Sequence, residues 1–336
     1  MTVRILSIDG GGIRGILPAR ILAELERRAG KPAAELFDLV AGTSTGGILA
    51  CGLAQRISAA RLGDLYAQHG AEIFSRSFGR ILATAGGLFG AKYDPAPLEA
   101  MLRQTLGEAR LSAARRPHLL VPSYAIALPS PARIDGTTAR TSRAPMFFKS
   151  WKANGHALDR DDVRDAFDFP LWQVARATSA APTYFPPAEI ESMAGERYAM
   201  IDGGVFANNP SLCALASAKR LFPDAKRFLL VSLGTGAAEE PIDASDARSW
   251  GDAEWLRPIL SLLLDGAVDT ACYICDQLLG RDHHRFEAAV ADGSDAPAAA
   301  FDDSSADNVR RLESLAQQVI AAESGRLDAV CRALAP

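Results

Sequence analysis

Three short segments of the chain contain residues whose types and spacing could carry out acyl transfer. In the first, Gly42-Thr43-Ser44-Thr45-Gly46 has the form G-x-S-x-G and follows an apolar stretch. Small flanking residues relieve a sharp strand-to-helix turn, so that the Ser44 hydroxyl stands free at the start of a helix. The pattern predicts a nucleophile elbow, with Ser44 as nucleophile and Gly42 and Gly46 as its flanking glycines. A serine that only caps the helix is the alternative, and the two roles are compatible.

The second segment, Asp9-Gly10-Gly11-Gly12-Ile13-Arg14-Gly15, is a glycine loop between an apolar run and a helical pattern. Consecutive glycines leave main-chain N–H groups bare and convergent. At the mouth of a helix such groups bind an anion, either a phosphate or the oxyanion of an acyl-transfer intermediate. The candidate oxyanion-hole residues are Gly10, Gly11, Gly12, Ile13 and Arg14. A tight turn that binds nothing is the alternative.

The same loop also fits a dinucleotide-binding pattern, because Gly10, Gly12 and Gly15 match G-x-G-x-x-G. A dinucleotide fold expects an acidic residue at the end of the second strand, whereas Asp38 stands at the beginning of that strand. A nicotinamide-dependent oxidoreductase therefore stays a remote alternative.

The third segment offers a base for the serine, since Asp202 ends a short apolar run and precedes Gly203 and Gly204. Partial burial there would raise the carboxyl pKa toward the range that a general base needs. Taken alone, the segment fits a plain Asp-Gly turn better. His283 and His284 satisfy the chain order of a serine–acid–histidine triad. However, Ser44 comes too early for that fold, and the charged stretch 281–285 is typical of a solvated turn, so we interpret all five histidines as non-catalytic.

The hydrophobic periodicity places these segments on alternating strands and helices. Strands are predicted at residues 3–8, 37–41, 118–128, 145–151, 198–201 and 228–233, and helices at 16–29, 44–55, 95–106, 169–180, 211–221, 254–279 and 305–334. Alternation of this kind predicts an α/β fold with a largely parallel central sheet, helices on both faces and a helical C-terminal region.

Composition excludes several classes of protein. The 336 residues carry a formal net charge of -4, so no overall positive field would hold a nucleic acid polymer or an anionic membrane. Five cysteines do not suggest a disulfide framework, and Cys272 and Cys275 lack a second pair at zinc spacing. We expect no metal and no cofactor. The apolar runs are too short for a signal peptide or a spanning helix, so we expect a cytoplasmic protein with at most peripheral membrane contact.

Together and in this order, the three segments resemble those of the patatin-like phospholipases. The stretches 175–187, Ala-Arg-Ala-Thr-Ser-Ala-Ala-Pro-Thr-Tyr-Phe-Pro-Pro, and 230–236, Leu-Val-Ser-Leu-Gly-Thr-Gly, are also similar to that family. The resemblance covers residues 3–236 and implies a three-layer fold. It further implies a Ser44–Asp202 dyad without a histidine, an oxyanion hole from the 10–14 loop, and no cofactor.

The resemblance implies hydrolysis of fatty-acyl esters of phospholipids or related polar lipids, with the lipid met at a membrane or micelle surface. We expect one domain over 1–336, in which 237–336 is a helical completion without a matched motif. The main alternative is a phospholipase effector that stays inactive until a partner or a small molecule, such as a cyclic nucleotide, binds. The apolar, glycine-rich segment 76–92 is predicted to be the lipid-facing rim of the site, with a core loop as the equal alternative.

Overall fold

A computed structural model describes residues 1–75, 90–129, 133–134, 137–138, 143–155, 161–238, 242–290 and 300–335. One large sheet organises this part of the chain. Its strands are β1 Thr2–Ile8, β2 Leu39–Gly42, β3 His118–Ala127, β4 Ala144–Lys149, β5 Ala188–Glu191, β6 Arg197–Asp202, β7 Arg227–Leu233 and β8 His283–Phe286. Two-residue strands form two further pairs, Arg133–Ile134 with Thr137–Thr138 and Ala237–Ala238 with Ala289–Val290.

The sheet is parallel on one side and antiparallel on the other. Strands β8, β7, β1, β2 and β3 are neighbours in that order, and all of their pairings are parallel. Strand β3 then pairs antiparallel with β4 and β6, and β6 pairs antiparallel with β5. The carboxyl ends of β1, β2, β7 and β8 therefore meet at one edge, where open α/β sheets bind their ligands.

Ten helices surround the sheet in the described chain. They are α1 Ile16–Ala29, α2 Thr45–Ala54, α3 Ala59–Ile73, α4 Ala96–Leu106, α5 Leu171–Thr178, α6 Gly204–Ala207, α7 Ser211–Leu221, α8 Asp252–Leu279, α9 Ala306–Ala322 and α10 Ser324–Leu334. Further helical segments of three to seven residues lie at Gly12–Gly15, Ala33–Leu36, Leu111–Ala113, Ser150–Ala153, Asp161–Phe167, Ala244–Ala247 and Gly280–Asp282.

Alternate side chains of β1 pack into two separate cores. Leu6 and Ile8 belong to the larger core, which includes residues of α1, α3, α4 and α9. Val3 and Ile5 belong to the smaller core, which includes residues of α7 and the end of α8. Because successive side chains of a strand point to opposite faces, the two cores lie on the two sides of the sheet. The predicted α/β class, with helices on both faces of a largely parallel sheet, is confirmed.

Some sequence predictions about single elements were wrong. The charged stretch 281–285 is not a solvated turn, because His283–Phe286 form the edge strand β8 beside β7. The predicted helix 305–334 is two helices, α9 and α10, since α9 ends at Ala322 with Glu323 as its C-cap. Helix α3 and strand β5 have no counterpart in the prediction.

Not one helix among the described residues is both long enough and apolar enough to cross a bilayer.

Candidate active site

Ser44 occupies a strained turn between β2 and α2. Its backbone φ is 54° and ψ is -122°, a conformation that non-glycine residues rarely adopt. The turn is tight: a Cβ on Gly42 would lie 2.0 Å from the Gly46 carbonyl oxygen, and one on Gly46 would lie 2.2 Å from the Ile8 oxygen. Only glycine fits at either position. The turn therefore has the geometry that the sequence predicts for a nucleophile elbow, with the serine at the N-terminus of a helix.

Thr178, the last residue of α5, supports this turn from the opposite side. The Ser44 N–H donates to Thr178 Oγ1 at 2.9 Å, and Thr178 Oγ1 donates to the Pro122 carbonyl at 2.6 Å. The Thr178 hydroxyl thus acts both as an acceptor and as a donor, which fixes the position of the turn relative to the sheet. Sequence reasoning noted this stretch only for its resemblance and gave Thr178 no role.

The same end of α5 holds Asp202. The Asp202 N–H donates to the Ala180 carbonyl at 3.0 Å, and the Gly203 N–H donates to the Thr178 carbonyl at 3.3 Å. Residues 178–180 therefore hold the backbones of both Ser44 and Asp202. These bonds fix the distance between the backbones of Ser44 and Asp202, whatever rotamers their side chains adopt.

Asp202 is buried next to Ser44. Its carboxylate accepts a hydrogen bond from the Gly204 N–H at 2.7 Å, and its side chain is also hydrogen-bonded to Ser44. Burial raises the pKa of Asp202 to about 7, and the two hydrogen bonds oppose the rise without cancelling it. The structure thus brings together a strained serine and a carboxyl group that titrates near neutral pH.

The glycine loop lies against Ser44, since a Cβ on Gly10 would meet the Ser44 Cβ at 3.1 Å. Three of the five candidate amides are used inside the protein: Gly10 N donates to Asn208 O at 3.1 Å, Ile13 N to Phe301 O at 2.9 Å, and Arg14 N to Gly11 O at 3.2 Å. Among the main-chain hydrogen bonds of the described residues, the amides of Gly11 and Gly12 donate to no acceptor. Of the five candidate residues, Gly11 and Gly12 are therefore the ones whose amides are available to bind an oxyanion.

The Arg14 side chain does not line the cavity that contains Ser44 and Asp202. Its guanidinium lies 4.4 Å from the centre of the Phe301 ring, and the side chain is buried. Burial lowers the pKa of Arg14, while the nearby carboxylates Glu287 and Asp265 oppose that shift. These groups line a second, polar cavity of about 500 Å³ behind the loop.

An apolar pocket of about 210 Å³ opens over the serine and the aspartate. Its walls contain Ser44, Asp202 and the three loop glycines, together with a larger set of apolar side chains: Ile48, Tyr66, Ile73, Phe74, Leu98, Met101, Tyr184, Phe185, Leu264 and Phe301. A chain of methylene groups would lose its contact with water here. The pocket is suited to an acyl chain whose carbonyl end reaches Ser44.

Comparison with known proteins identifies the family. Residues 6–215 match the patatin-like phospholipase family. The chain belongs to this family. It is 29% identical over 372 residues to patatin-like protein 2 of Oryza sativa subsp. indica, covering 97% of this chain and 85% of the relative. It is 30% identical over 311 residues to patatin-17 of Solanum cardiophyllum, covering 82% and 71%.

Among solved structures, human GIVD cytosolic phospholipase A2 aligns with a TM-score of 0.47 and 12% identity. The alignment covers 99% of this chain and 60% of that one, and it carries no argument about function. Membership of the family, together with the apolar pocket, supports lipid hydrolase activity. Membership of this family gives no support to the oxidoreductase alternative.

The structure places the remaining candidates away from the serine. His283 lies on β8, where its Nδ1 is hydrogen-bonded to Asp276 at 2.6 Å. Of the described residues that line the apolar pocket, none is a histidine. Asp38 lies next to the amino end of β2 and is paired with Arg4 at 3.0 Å. It is therefore at the wrong end of the strand to bind a ribose at the glycine loop.

Two further predictions concern lipid contact and metals. Residues 76–89 of the predicted rim lie outside the described residues. Lys92, at the end of this segment, forms an ion pair with Asp302. Within the described chain, no group of three or more His, Cys, Asp or Glu side chains is arranged to hold a metal ion.

Residues of the C-terminal third hold the glycine loop in place, a role that the sequence did not indicate. Arg285 on β8 forms an ion pair with Asp9, the first residue of the loop, at 2.6 Å. Glu287 accepts a hydrogen bond from the Gly236 N–H at 2.7 Å, and Thr235 Oγ1 donates to the Gly10 carbonyl at 2.8 Å. The loop is thereby fixed to the ends of β7 and β8. In the sequence, this role could have been indicated only by the charged residues Arg285 and Glu287 in and just after a short strand.

Proposed function

We propose that this protein hydrolyses fatty-acyl ester bonds of phospholipids or related polar lipids through a Ser44–Asp202 dyad. The observation that carries the proposal is that Ser44, in its strained turn, and Asp202, a buried carboxyl group whose pKa is raised to about 7, line the same apolar pocket. An aspartate with that pKa can take a proton from serine near neutral pH and return it. No histidine is required.

In the first half of the reaction, the Ser44 hydroxyl gives its proton to Asp202 as Oγ forms a bond to the ester carbonyl carbon. The tetrahedral intermediate then breaks its bond to the alcohol oxygen, and Asp202 returns the proton to that oxygen. In the second half, water gives a proton to Asp202 and attacks the acyl carbon. The bond to Ser44 Oγ breaks, Oγ regains the proton, and the fatty acid leaves.

Negative charge that develops on the carbonyl oxygen needs donors that are already in place. We assign this role to the amides of Gly11 and Gly12, together with the positive end of helix α2 at Ser44. Main-chain bonds to Asn208 and Phe301 hold the loop still on both sides of these amides. Little reorganisation is then needed as the charge forms, which is the condition for a large contribution to the rate.

The nucleophile is tested by labelling with a fluorophosphonate probe and mapping the adduct by peptide mass spectrometry. Only a serine that is activated beside an oxyanion site reacts with the probe, so Ser44 should carry the adduct and Ser44→Ala should carry none. Ser179, which also lines the pocket, is a matched control, because its hydroxyl is bonded to the Ala175 carbonyl at 2.8 Å. An adduct on Ser179, or none in protein that is active on lipid, overturns the assignment.

The substrate class is tested with a lipid panel in which released fatty acid is identified by mass spectrometry, with Ser44→Ala in parallel. Release without any additive supports a constitutive lipid acyl hydrolase. Release only after a nucleotide or a partner protein is added favours the ligand-activated effector. Absence of release from every lipid, by protein that the probe does label, argues for a different acyl donor.

A further inference from the structure

Helix α8 carries a patch of large apolar side chains on its outer surface. Trp255, Ile259, Leu262 and Leu263 are 36%, 45%, 46% and 62% exposed. Their spacing of four, three and one residues places all four within an arc of roughly 100° on a helix. Scattered single exposed leucines are ordinary, whereas a contiguous apolar patch of this kind marks an interaction site. We call these four side chains the outer face of α8.

The opposite side of the same helix borders the catalytic pocket. Leu264 lines that pocket together with Ser44 and Asp202. Its Cδ2 lies so near Gly204 that a Cβ there would be 3.2 Å away. Leu264, in the pocket wall, and Leu263, the most exposed leucine of the patch, are thus neighbours in the chain. A single layer of helix separates the outer face from the site of hydrolysis.

An apolar groove extends the outer face along the protein. Its volume is about 400 Å³, and it is lined by Leu262 and Leu263 on α8 and by Phe206 and Leu212 from the opposing segment. The contact area therefore continues from α8 toward α6, whose first residue is Gly204. The groove and the pocket are lined by neighbouring residues of the chain, since Phe206 and Leu263 line the groove while Val205 and Leu264 line the pocket.

Charge around this region is negative where the structure describes it. The described charged side chains on this half of α8 are Glu254, Asp265 and Asp269, and all three are exposed carboxylates. A surface with anionic lipids would repel them, whereas zwitterionic or uncharged head groups would not. These charges therefore favour a surface of zwitterionic or uncharged lipids over a surface of anionic lipids.

We propose that the outer face of α8 seats this protein on a lipid surface of zwitterionic or uncharged head groups. Helices with a large apolar face bind in this way, with their side chains in the interfacial region of the bilayer and without spanning it. The proposal rests on the proposed function, because a lipid substrate must reach the pocket that Leu264 lines. Seating the protein through α8 brings the wall of that pocket next to the bilayer.

The test measures sedimentation with phosphatidylcholine vesicles in a Ser44→Ala background, so that binding is read without hydrolysis. Ile259→Asp combined with Leu263→Asp should lower the vesicle partition coefficient by at least about tenfold, since each buried apolar side chain contributes on that scale. Met193→Asp combined with Leu278→Asp is the matched control. These residues are 37% and 54% exposed; Met193 lies between β5 and β6 at the far edge of the sheet, and Leu278 lies about 22 Å beyond Leu263 on α8.

The proposal is overturned by no vesicle binding by the parent protein, by an equal loss in the control pair, or by stronger binding when phosphatidylserine replaces part of the phosphatidylcholine. A dimer in size-exclusion chromatography that the Ile259 and Leu263 substitutions dissociate would show instead that a second copy covers this face.

Hydrolysis of a short soluble ester, measured with Ser44 intact, separates this inference from the proposed function. The outer-face variant should hydrolyse it as the parent does, since Ile259 and Leu263 do not line the catalytic pocket. If the parent hydrolyses no ester but binds vesicles through α8, the proposed function fails while the docking surface stands.

Discussion

Arg285 reaches from the edge strand of the sheet to Asp9, with 2.6 Å between Nη2 and Oδ2. Asp9 is 2% exposed, and burial raises its pKa to about 6, while the charge and hydrogen bond of Arg285 oppose that rise. The guanidinium also donates to Ser232 Oγ at 2.8 Å and pairs with Glu287. Strand β8 thus holds the residue from which the glycine loop begins.

Replacing Arg285 by methionine should lower kcat on a soluble ester by roughly 10²-fold with little change in KM, because a loop shifted by about 1 Å misplaces its donors. Steady-state kinetics measure this. Arg285→Lys should recover part of the loss. Arg227→Met is the matched control, since it removes an ion pair with Asp282 near the other end of the same strands, and Arg227 is half exposed. Parent-like kcat in Arg285→Met would show that β8 has no role in positioning the loop.

Asp202→Asn should abolish turnover, because asparagine cannot accept the serine proton. A loss of roughly 10²- to 10⁴-fold is the scale for a missing general base. The comparison is the double variant His283→Ala, His284→Ala, which should retain activity because His283 is bonded to Asp276. The reverse result, with Asp202→Asn active and the histidine variant inactive, would support a histidine triad.

The pH profile should have an acid limb near pH 7. Protonated Asp202 cannot accept the proton of Ser44, so kcat/KM should fall as pH drops below the pKa of about 7. Rates on a soluble ester from about pH 5 to about pH 9 define the limb. A plateau that persists down to about pH 5 would mean that Asp202 titrates as an ordinary carboxyl group.

Asp202→Asn should also stabilise the fold, to an extent that depends on pH. The pKa of Asp202 is higher in the folded than in the unfolded protein, so ionisation of the buried group destabilises the fold as pH rises from about 4 to about 7. Asparagine removes that cost. The melting temperature of the variant should exceed that of the parent by at least about 2 °C at pH 8, and the gain should vanish near pH 4. An equal gain at both pH values would contradict the burial argument.

Gly12→Ala should reduce activity through the loop backbone. Gly12 has a φ of +58°, and a Cβ there would lie 2.1 Å from the Phe301 carbonyl oxygen, which accepts the Ile13 N–H. Gly30→Ala is the control, because Gly30 has a similar φ of +64° with nothing within 4 Å. Gly30→Ala should lose about 1 kcal/mol of stability from backbone strain, and Gly12→Ala should lose more because its Cβ also meets a main-chain oxygen; urea unfolding measures both. Only Gly12→Ala should lower kcat. Equal kinetics for the two would remove the loop from the mechanism.

The sequence by itself determined the local parts of the site. The strand–turn–helix pattern around Ser44 and the strand–loop–helix pattern around residues 9–15 depend on residues adjacent in the chain, and the structure has both at these positions. The glycine at 42 is required by a contact with Gly46 in the same turn, whereas the glycine at 46 is required by the main-chain oxygens of Ile8 and Asp9. The local patterns can be read from a sequence because the interactions that specify them are short-range.

Only the tertiary structure decided how Asp202 meets Ser44. Strand β6, which ends at Asp202, runs antiparallel to β3, so its direction does not follow from the parallel pairing of the other central strands. Asp202 reaches the serine because β6 ends level with Ser123, beyond the residues of β3 that pair with β2, and because 178–180 hold both backbones. Strand direction and register come from pairing between distant segments, which no local pattern encodes.

The strand at 283–286 shows the same limit. Its charged residues predicted a solvated turn, since an isolated arginine or histidine favours water. In the folded protein Arg285 meets the carboxylates of Asp9 and Glu287, and His283 meets Asp276. A charge is stable in a buried strand only when its partners are present, and Asp9 lies at the other end of the chain. The folded chain alone brings them together.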